Sequence, residues 1–309
     1  MSLSIVIPAY NEEGSLQELH AKLVESLTEI GQEYEIIFVD DGSSDGTFSA
    51  LEKLHTTDPN VKVIRFRRNF GKAAALTAGF RAAQGEIIVT MDADLQDDPV
   101  EIPRFLEKLD EGYDLVTGWK YPRLDPLSKT LPSRLANGTV RMAAGLDIHD
   151  MNCGFKAMRR TVTEEITLYG ELHRYIPVLA NWRGFRLAEI KVKHHPRPYG
   201  KSKYGLERLA RGLFDFMTVF FLSRFNRRPL HFFGMFGLLA FLAGFAIDAY
   251  LAYIRLVLGI FIGHRPLLTL GTLLITIGVQ FFSFGLLAEM FTYGAMSKER
   301  DYSIRETLE

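Results

Sequence analysis

Two stretches near the C-terminal end, His231 to Gly259 and Leu267 to Tyr293, are long, almost free of charge, and rich in Leu, Phe, Gly and Ala. Crossing a bilayer takes about 20 apolar residues, so each stretch is long enough to span one. Two such segments joined by a short turn would otherwise need a very large soluble core around them. The chain therefore reads as a membrane protein with a two-helix hairpin. Arg224, Arg227 and Arg228 precede the first span, and Lys298 and Arg300 follow the second, whereas the turn carries only His264 and Arg265. An excess of Lys and Arg marks the cytoplasmic side, which puts both termini there. Asp248 and Glu289 lie inside or at the ends of the spans, where charge is expensive. The expected placement is interfacial, with Asp248 toward the outer face and Glu289 toward the cytoplasm.

The residues before the spans follow a different pattern. Apolar, β-branched runs recur at Ser4–Ile7, Glu35–Val39, Val61–Phe66, Glu86–Met91 and Asp114–Thr117. Helical patterns separate most of them, at Leu16–Ile30, Thr47–Leu54, Ala73–Ala83 and Ile102–Glu111. This alternation predicts βαβ units and an α/β head with a Rossmann-like, mostly parallel sheet. It fades after Gly118. Leu127–Ala144 reads as an amphipathic helix carrying Arg134 and Arg141, and Phe185–Lys193 as a further strand. Gly205–Phe225 reads as a helix with Arg208 and Arg211 on one side and Leu206, Leu209, Leu213, Phe216, Met217 and Phe220 on the other. A basic, aromatic-rich amphipathic helix just before a span suits the membrane interface. The expected organisation is thus a head at 1–204, a juxtamembrane helix at 205–229, the hairpin at 230–295 and a cytoplasmic tail at 296–309.

Among the 309 residues, 36 basic side chains against 37 acidic ones give no pointer to nucleic acid, and none is expected as a partner. The charge is unevenly placed: acids gather at Asp40-Asp41, Asp45, Asp92, Asp94 and Asp97-Asp98, bases from His194 to Arg228. That division suits a metal at one place and an anionic partner or surface at another. The single cysteine, Cys153, excludes a disulfide framework and reads as a small packed residue rather than a nucleophile. Leu3 to Ile7 already reads as a strand, so no cleaved leader is expected. The G-x-G-x-x-G fingerprint is absent, which argues against a nicotinamide or flavin enzyme.

Three strand ends carry the chemistry. Asp92-Ala93-Asp94 follows the run Ile87–Met91, and ligands of open α/β sheets bind beyond the carboxyl ends of strands. Two acids at i and i+2 can point to one side and share a hard cation, although an isolated Asp-x-Asp is more often an acidic turn. Ile7-Pro8-Ala9-Tyr10-Asn11-Glu12-Glu13 closes the first strand; Pro8 is expected to stop the ladder, and Glu12 and Glu13 suit the first turn of the next helix. Val39 to Thr47 closes the second, with Asp45 or Ser44 as helix cap. A cap does not require Asp40 and Asp41 as well.

In combination, I-P-A-Y-N-E-E, V-D-D-G-S-S-D-G-T and M-D-A-D-L-Q-D-D-P resemble the family 2 glycosyltransferases of the GT-A fold, over roughly residues 1 to 225. The resemblance implies that Pro8, Ala9, Tyr10, Glu12 and Asp41 contact the nucleotide of a sugar donor, with Asp40 beside them. It implies that Asp92, Ala93, Asp94 and Gln96 form the metal and diphosphate site, with magnesium or manganese on Asp92 and Asp94. Lys72, in Arg67–Lys72, either serves the nucleotide or starts a helix. Within the family, Asn152–Lys156, Leu172–Tyr175, Gly200–Gly205 and the hairpin resemble the polyprenyl-phosphate glycosyltransferases, the group that includes dolichyl-phosphate mannose synthase and bactoprenol glucosyltransferases. The Q-x-x-R-W pattern of processive synthases is absent.

The implied reaction moves one hexose of the glucose or mannose class from a UDP- or GDP-sugar to a polyprenyl phosphate, with inversion. Transfer to a hydroxyl needs a general base. A polyprenyl phosphate is already anionic and needs cations instead, which Arg134, Arg197, Lys201 and Lys203 supply. The basic loop is equally explained by anionic headgroups, worth about 1 kcal/mol per residue. Asp150 occupies the base position of the family's pattern, and a lipid phosphate acceptor leaves it little to do. Two alternatives remain at this stage: transfer to a glycan or lipid-linked sugar hydroxyl with Asp150 as base, and a non-catalytic membrane-tethered binding protein. Two spans also offer a monomer little intramembrane surface, which leaves room for a homo-oligomer.

Overall fold

The apolar runs of the head form five strands of a seven-stranded sheet. The structure, a computed structural model, describes residues 2–121, 146–193, 195, 229–261 and 266–296. Two compact units divide the chain, residues 1–220 and 221–309. The strands are β1 (Leu3–Ala9), β2 (Tyr34–Asp40), β3 (Val61–Arg65), β4 (Ile87–Thr90), β5 (Leu115–Lys120), β6 (Lys156–Arg159) and β7 (Leu187–Val192), in the order β3-β2-β1-β4-β6-β5-β7. Between them run α1 (Leu16–Ile30), α2 (Thr47–Thr57), α3 (Lys72–Ala82), α4 (Ile102–Asp110), α5 (Arg160–Glu165) and α6 (Ile176–Trp182).

Alternation along the strands divides the core into two layers. Leu3, Ile5 and Ile7 of β1 meet the buried stripe Leu16, Leu19, Leu23 and Leu27 of α1, which recurs at helical spacing, together with α4. Val6 faces the other way, onto Ala75, Leu76 and Phe80 of α3. Gly79 permits that approach, because a Cβ there would lie 2.2 Å from Val6 Cγ1. Helix α1 ends at Gly31, whose left-handed φ of 69° lets its amide reach the Leu27 and Thr28 carbonyls.

The sheet is mostly parallel, as expected, and β6 runs antiparallel to both of its neighbours, β4 and β5. Three expectations need correction. Pro8 does not stop β1, which stays in register with β2 through Pro8↔Val39 and Ala9↔Asp40. Val6 faces β4, accepting from Met91 at 3.4 Å, so its neighbour two residues on faces that side too. The β1–β4 pairing has already ended there, and the missing N–H costs no ladder bond. Glu13 does not serve the first turn of α1; its carboxylate accepts from Gly46 N at 3.0 Å, beside the start of α2. The N-cap of α2 is Gly46 rather than Asp45 or Ser44; Asp45, one residue earlier, accepts from Thr47 N at 3.0 Å. The amphipathic stretches Leu127–Ala144 and Gly205–Phe225, and the 296–309 tail beyond Met296, lie outside the described residues.

The second unit holds α7 (Pro229–Leu256) and α8 (Pro266–Met296), both long and apolar enough to cross a membrane. Most of their large side chains are exposed, Phe245, Leu256 and Phe291 among them, as a lipid-facing surface requires and a soluble core helix does not. Gly237 and Gly244 of α7 face Gly278 and Gly271 of α8, so the helices run antiparallel and touch backbone to backbone. A Cβ at Gly244 would sit 2.5 Å from the Gly271 carbonyl oxygen, and one at Gly278 would sit 2.7 Å from that of Gly237. Small residues at such contacts are the usual means of helix association in lipid. Glu289 accepts from Leu230 N at 3.2 Å, satisfying an orphan amide at the start of α7. Asp248 accepts from Thr272 Oγ1 at 3.4 Å across the hairpin.

Glu35 ties three pieces of the head together: its Oε1 accepts from Ser4 Oγ at 2.5 Å and Gln84 N at 2.7 Å, and its Oε2 pairs with Lys62 at 2.6 Å. Burial opposes its charge, but the Lys62 and Ser4 bonds outweigh that and hold its pKa below the ordinary value. A depressed carboxylate stabilises the fold above its unfolded pKa and ceases to as pH falls through the folded one. Glu35→Gln should therefore lower the thermal midpoint of the head by about 2–4 °C at pH 7, and the gap from wild type should close below about pH 4. In the hairpin, Gly278→Val should lower the thermal midpoint in detergent, whereas Gly234→Val, whose nearest neighbour is 3.5 Å from the added Cβ, should be tolerated.

Candidate active site

Strands β1, β2, β4 and β5 share one direction, so their carboxyl ends lie along one edge of the sheet. Strand β6 runs the other way, and its first residue, Lys156, pairs with Thr90 of β4 and Thr117 of β5 at that edge. Pro8, Ala9 and Tyr10 at the end of β1, Asp40 and Asp41 at the end of β2, and Asp92 to Gln96 after β4 all gather there. Beyond the described residues lie Arg134, Arg197, Lys201 and Lys203.

The first two motifs form one body. Asn11 N donates to Ser43 Oγ at 3.0 Å, and Ser44 N donates back to Asn11 Oδ1 at 2.8 Å. Asn11 adopts φ 53°, a left-handed conformation that asparagine tolerates. Glu12 N donates to Thr47 Oγ1 at 2.9 Å. The Asp41 carboxylate accepts from Phe70 N at 2.7 Å and Gly71 N at 3.0 Å, so it anchors the segment entering α3. Burial raises its pKa in spite of those amides. Asp40 Oδ1 accepts from Ser43 N at 3.0 Å, while its buried Oδ2 has no hydrogen-bond partner and faces Arg65 Nε at 3.7 Å. Gly42, at φ 69°, lies where a Cβ would be 2.3 Å from the Arg68 backbone.

Around Asp92 the site alternates acids and lysines. Lys72, first residue of α3, donates to Asp92 Oδ1. Asp94 Oδ1 accepts from Gln96 N at 3.2 Å, and Gln96 reaches the 195 region through His195 N to its carbonyl at 3.0 Å. Between them Leu95 takes φ 62° while its side chain is buried in the core. Asp97, also buried, faces Lys120 Nζ at 3.5 Å. Burial disfavours the Asp92 charge, but Lys72 and Lys120 outweigh it and hold the carboxyl well below its usual range. Burial likewise opposes the Lys120 ammonium, and Asp97, Asp92 and Asp94 reverse that, raising its pKa. Lys156 is buried and donates to the Cys153 carbonyl; here burial prevails and lowers its pKa. Burial pushes the Cys153 thiol up to about 12, so it stays protonated.

Gly154 explains why Asp92 fits: a Cβ there would lie 2.8 Å from Asp92 Oδ2. Asp150 is buried, its carboxylate accepting from Asn152 N at 3.3 Å and its own amide donating to Glu189 at 2.8 Å. His173 stands among Lys72, Arg174, Asp92 and Lys156; burial first, then Lys72, lowers its pKa to about 3. Among the described residues no three His, Cys, Asp or Glu side chains converge on a metal position. Sequence reasoning grouped Asp97 with the other acids without giving it a role, and missed Lys120, Gly154, Lys156 and His173 as parts of this place. The stretches Asn152–Lys156 and Leu172–Tyr175 were visible as motifs without roles; Lys120 carried no signal of its own.

A family model for glycosyl transferase family 2 matches residues 4–167. The chain is 36% identical to a dodecaprenyl-phosphate galacturonate synthase of Rhizobium johnstonii, over 99% of this chain and 93% of that protein. It is 38% identical to an undecaprenyl-phosphate 4-deoxy-4-formamido-L-arabinose transferase of Edwardsiella ictaluri, over 93% of this chain and 87% of that one. Among solved structures, glucosyl-3-phosphoglycerate synthase from Mycobacterium tuberculosis, in complex with Mn2+ and UDP-glucose, shares the fold. It aligns with a TM-score of 0.55 at 18% identity, over 72% of this chain and 78% of that one.

Because the Gly154 α-carbon makes room for the Asp92 carboxylate, Gly154→Ala should weaken manganese-supported nucleotide binding by about 10- to 100-fold. Calorimetry on the full chain checks this, and the thermal midpoint should move little.

Proposed function

Because the chain belongs to glycosyl transferase family 2, we propose that it moves one hexose-class sugar, glucose or mannose, from a UDP- or GDP-sugar to a polyprenyl phosphate, inverting the anomeric carbon. The observation that supports the acceptor in this reading is similarity along nearly the whole chain, hairpin included, to proteins named for polyprenyl-phosphate acceptors. Those names also place galacturonate and 4-deoxy-4-formamido-L-arabinose on any donor panel. Residues 1–204 carry the chemistry on the cytoplasmic side, with both termini there, and the hairpin holds them at the lipid.

The donor end of the site suits a divalent cation, magnesium or manganese. Asp92 and Asp94 offer hard carboxylate oxygens, and Gly154, packed against the Asp92 carboxylate, brings no side chain against it. One or two carboxylates suffice for a cation that shares phosphate oxygens. When bound, such an ion neutralises charge on the departing nucleoside diphosphate. Lys72 stands on the same carboxylate and adds positive charge where the diphosphate lies. Lys120, kept protonated by the acids around it, adds a second cation. Asp41 fixes the Phe70-Gly71 backbone, and with it the start of α3.

The acceptor phosphate is already anionic, so its oxygen attacks the anomeric carbon from the face opposite the diphosphate. A carbon–oxygen bond to the lipid phosphate forms, and the bond to the diphosphate breaks with its electron pair leaving on the nucleotide. No proton has to be removed, and Asp150 is already engaged in shaping its own loop. Arg134, Arg197, Lys201 and Lys203 are proposed to hold the lipid phosphate.

Radiolabelled sugar transfer into a chloroform-soluble, mild-acid-labile product tests the reaction. No lipid product from any nucleotide sugar on the panel would sink it. Asp94→Asn should abolish metal-dependent donor binding, whereas Lys203→Ala should spare it and weaken use of the lipid. Asp150→Asn should retain measurable transfer; complete loss with intact donor binding would instead indicate a hydroxyl acceptor.

A further inference from the structure

His173 lies on a short 3-10 turn, Leu172–Tyr175, that packs against α3, whose first residue is Lys72. Its Nδ1 is buried and has no hydrogen-bond partner. A buried polar atom left unpaired costs free energy and calls for a partner that the chain itself does not supply. The groups whose charge acts on the ring are Lys72, Arg174, Asp92 and Lys156, three of them cationic. In those surroundings the imidazole is neutral, so one ring nitrogen donates and the other accepts.

That charge pattern narrows what Nδ1 can meet. A further cation is disfavoured beside Lys72, Arg174 and Lys156. An anionic phosphate oxygen is served better by the lysines than by a neutral ring. A sugar hydroxyl both donates and accepts, and so satisfies Nδ1 in either tautomer. Position agrees: the transferred sugar is bonded directly to the diphosphate assigned to Asp92 and Lys72, so its ring lies within a few bonds of them.

We propose that His173 hydrogen-bonds a ring hydroxyl of the donor sugar through Nδ1, making it a specificity-determining residue. The inference rests on the donor reading of the Asp92 site and names the part of the donor that this residue reads. A site built to pair with a hydroxyl discriminates strongly against sugars that lack it or turn it away.

The test compares full-length wild type with His173→Ala, His173→Gln and His173→Asn, because an asparagine amide falls near the position of Nδ1 and a glutamine amide near Nε2. Initial rates are measured with UDP- and GDP-sugars that are epimers of one another, with undecaprenyl phosphate as acceptor. Calorimetry with Mn2+ measures binding of the intact sugar nucleotides and of free UDP and GDP. His173→Ala and His173→Gln should lose about 10- to 100-fold in kcat/KM for the preferred donor and much of the discrimination between epimers. His173→Asn should recover most of both, and affinity for free UDP or GDP should be unchanged in all three. Loss of free nucleotide binding in His173→Ala would place the ring on the diphosphate or its cation and overturn the proposal. Unchanged epimer discrimination would overturn it as well. If wild type itself transfers nothing to the lipid, the acceptor reading fails, while the comparison of intact with free nucleotide binding still decides the role of His173.

Discussion

A four-residue strand, β6, runs against both of its neighbours, and the site depends on that direction. The parallel strands deliver their acidic carboxyl ends to one edge. Strand β6 delivers its amino end to the same edge, and with it the buried Lys156 and the Asp150–Phe155 loop. Were β6 parallel, that loop would emerge at the opposite edge and Gly154 could not flank Asp92. Carboxylates crowded at strand ends repel one another. Lys72 from a helix start and Lys120 from β5 interleave with them, and the alternation lets a half-buried acidic cluster stay ionised.

Rigidity comes from backbone contacts more than from salt bridges. The β1–α1 and β2–α2 loops are joined by Asn11, Glu12 and Glu13, each meeting a residue between Ser43 and Thr47. Asp41 then extends the same body to Gly71. On the other side of the site, Leu95 holds a left-handed backbone that costs a non-glycine residue roughly 1–2 kcal/mol. Burial of its side chain in the main core offsets that cost and fixes the turn from Asp94 to Asp97.

The parts legible in the sequence are those whose signal is local. Strands such as Ile36–Val39 and the stripe on α1 declare themselves by periodicity, and the hairpin by length and lack of charge. Asp92 and Asp94 became readable because a strand end precedes them. Strand β6 was not readable, since Lys156-Ala157-Met158-Arg159 is short, carries charge at both ends and is specified only by its partners β4 and β5. Lys120, Lys156 and His173 come from separate elements and meet Asp92 only through the sheet order, which no local spacing encodes. The course of β1 past Pro8 was misread for a related reason: the cost of a missing amide depends on which neighbour it faces.

The glycine contacts of α7 and α8 bear on the route of an isoprenoid chain. Where Gly237 meets Gly278 and Gly244 meets Gly271, the two main chains leave no width for a prenyl unit between them. At those two levels the apolar surface left for such a chain is the outer wall of the hairpin, where rings such as Phe245 and Phe291 stand exposed.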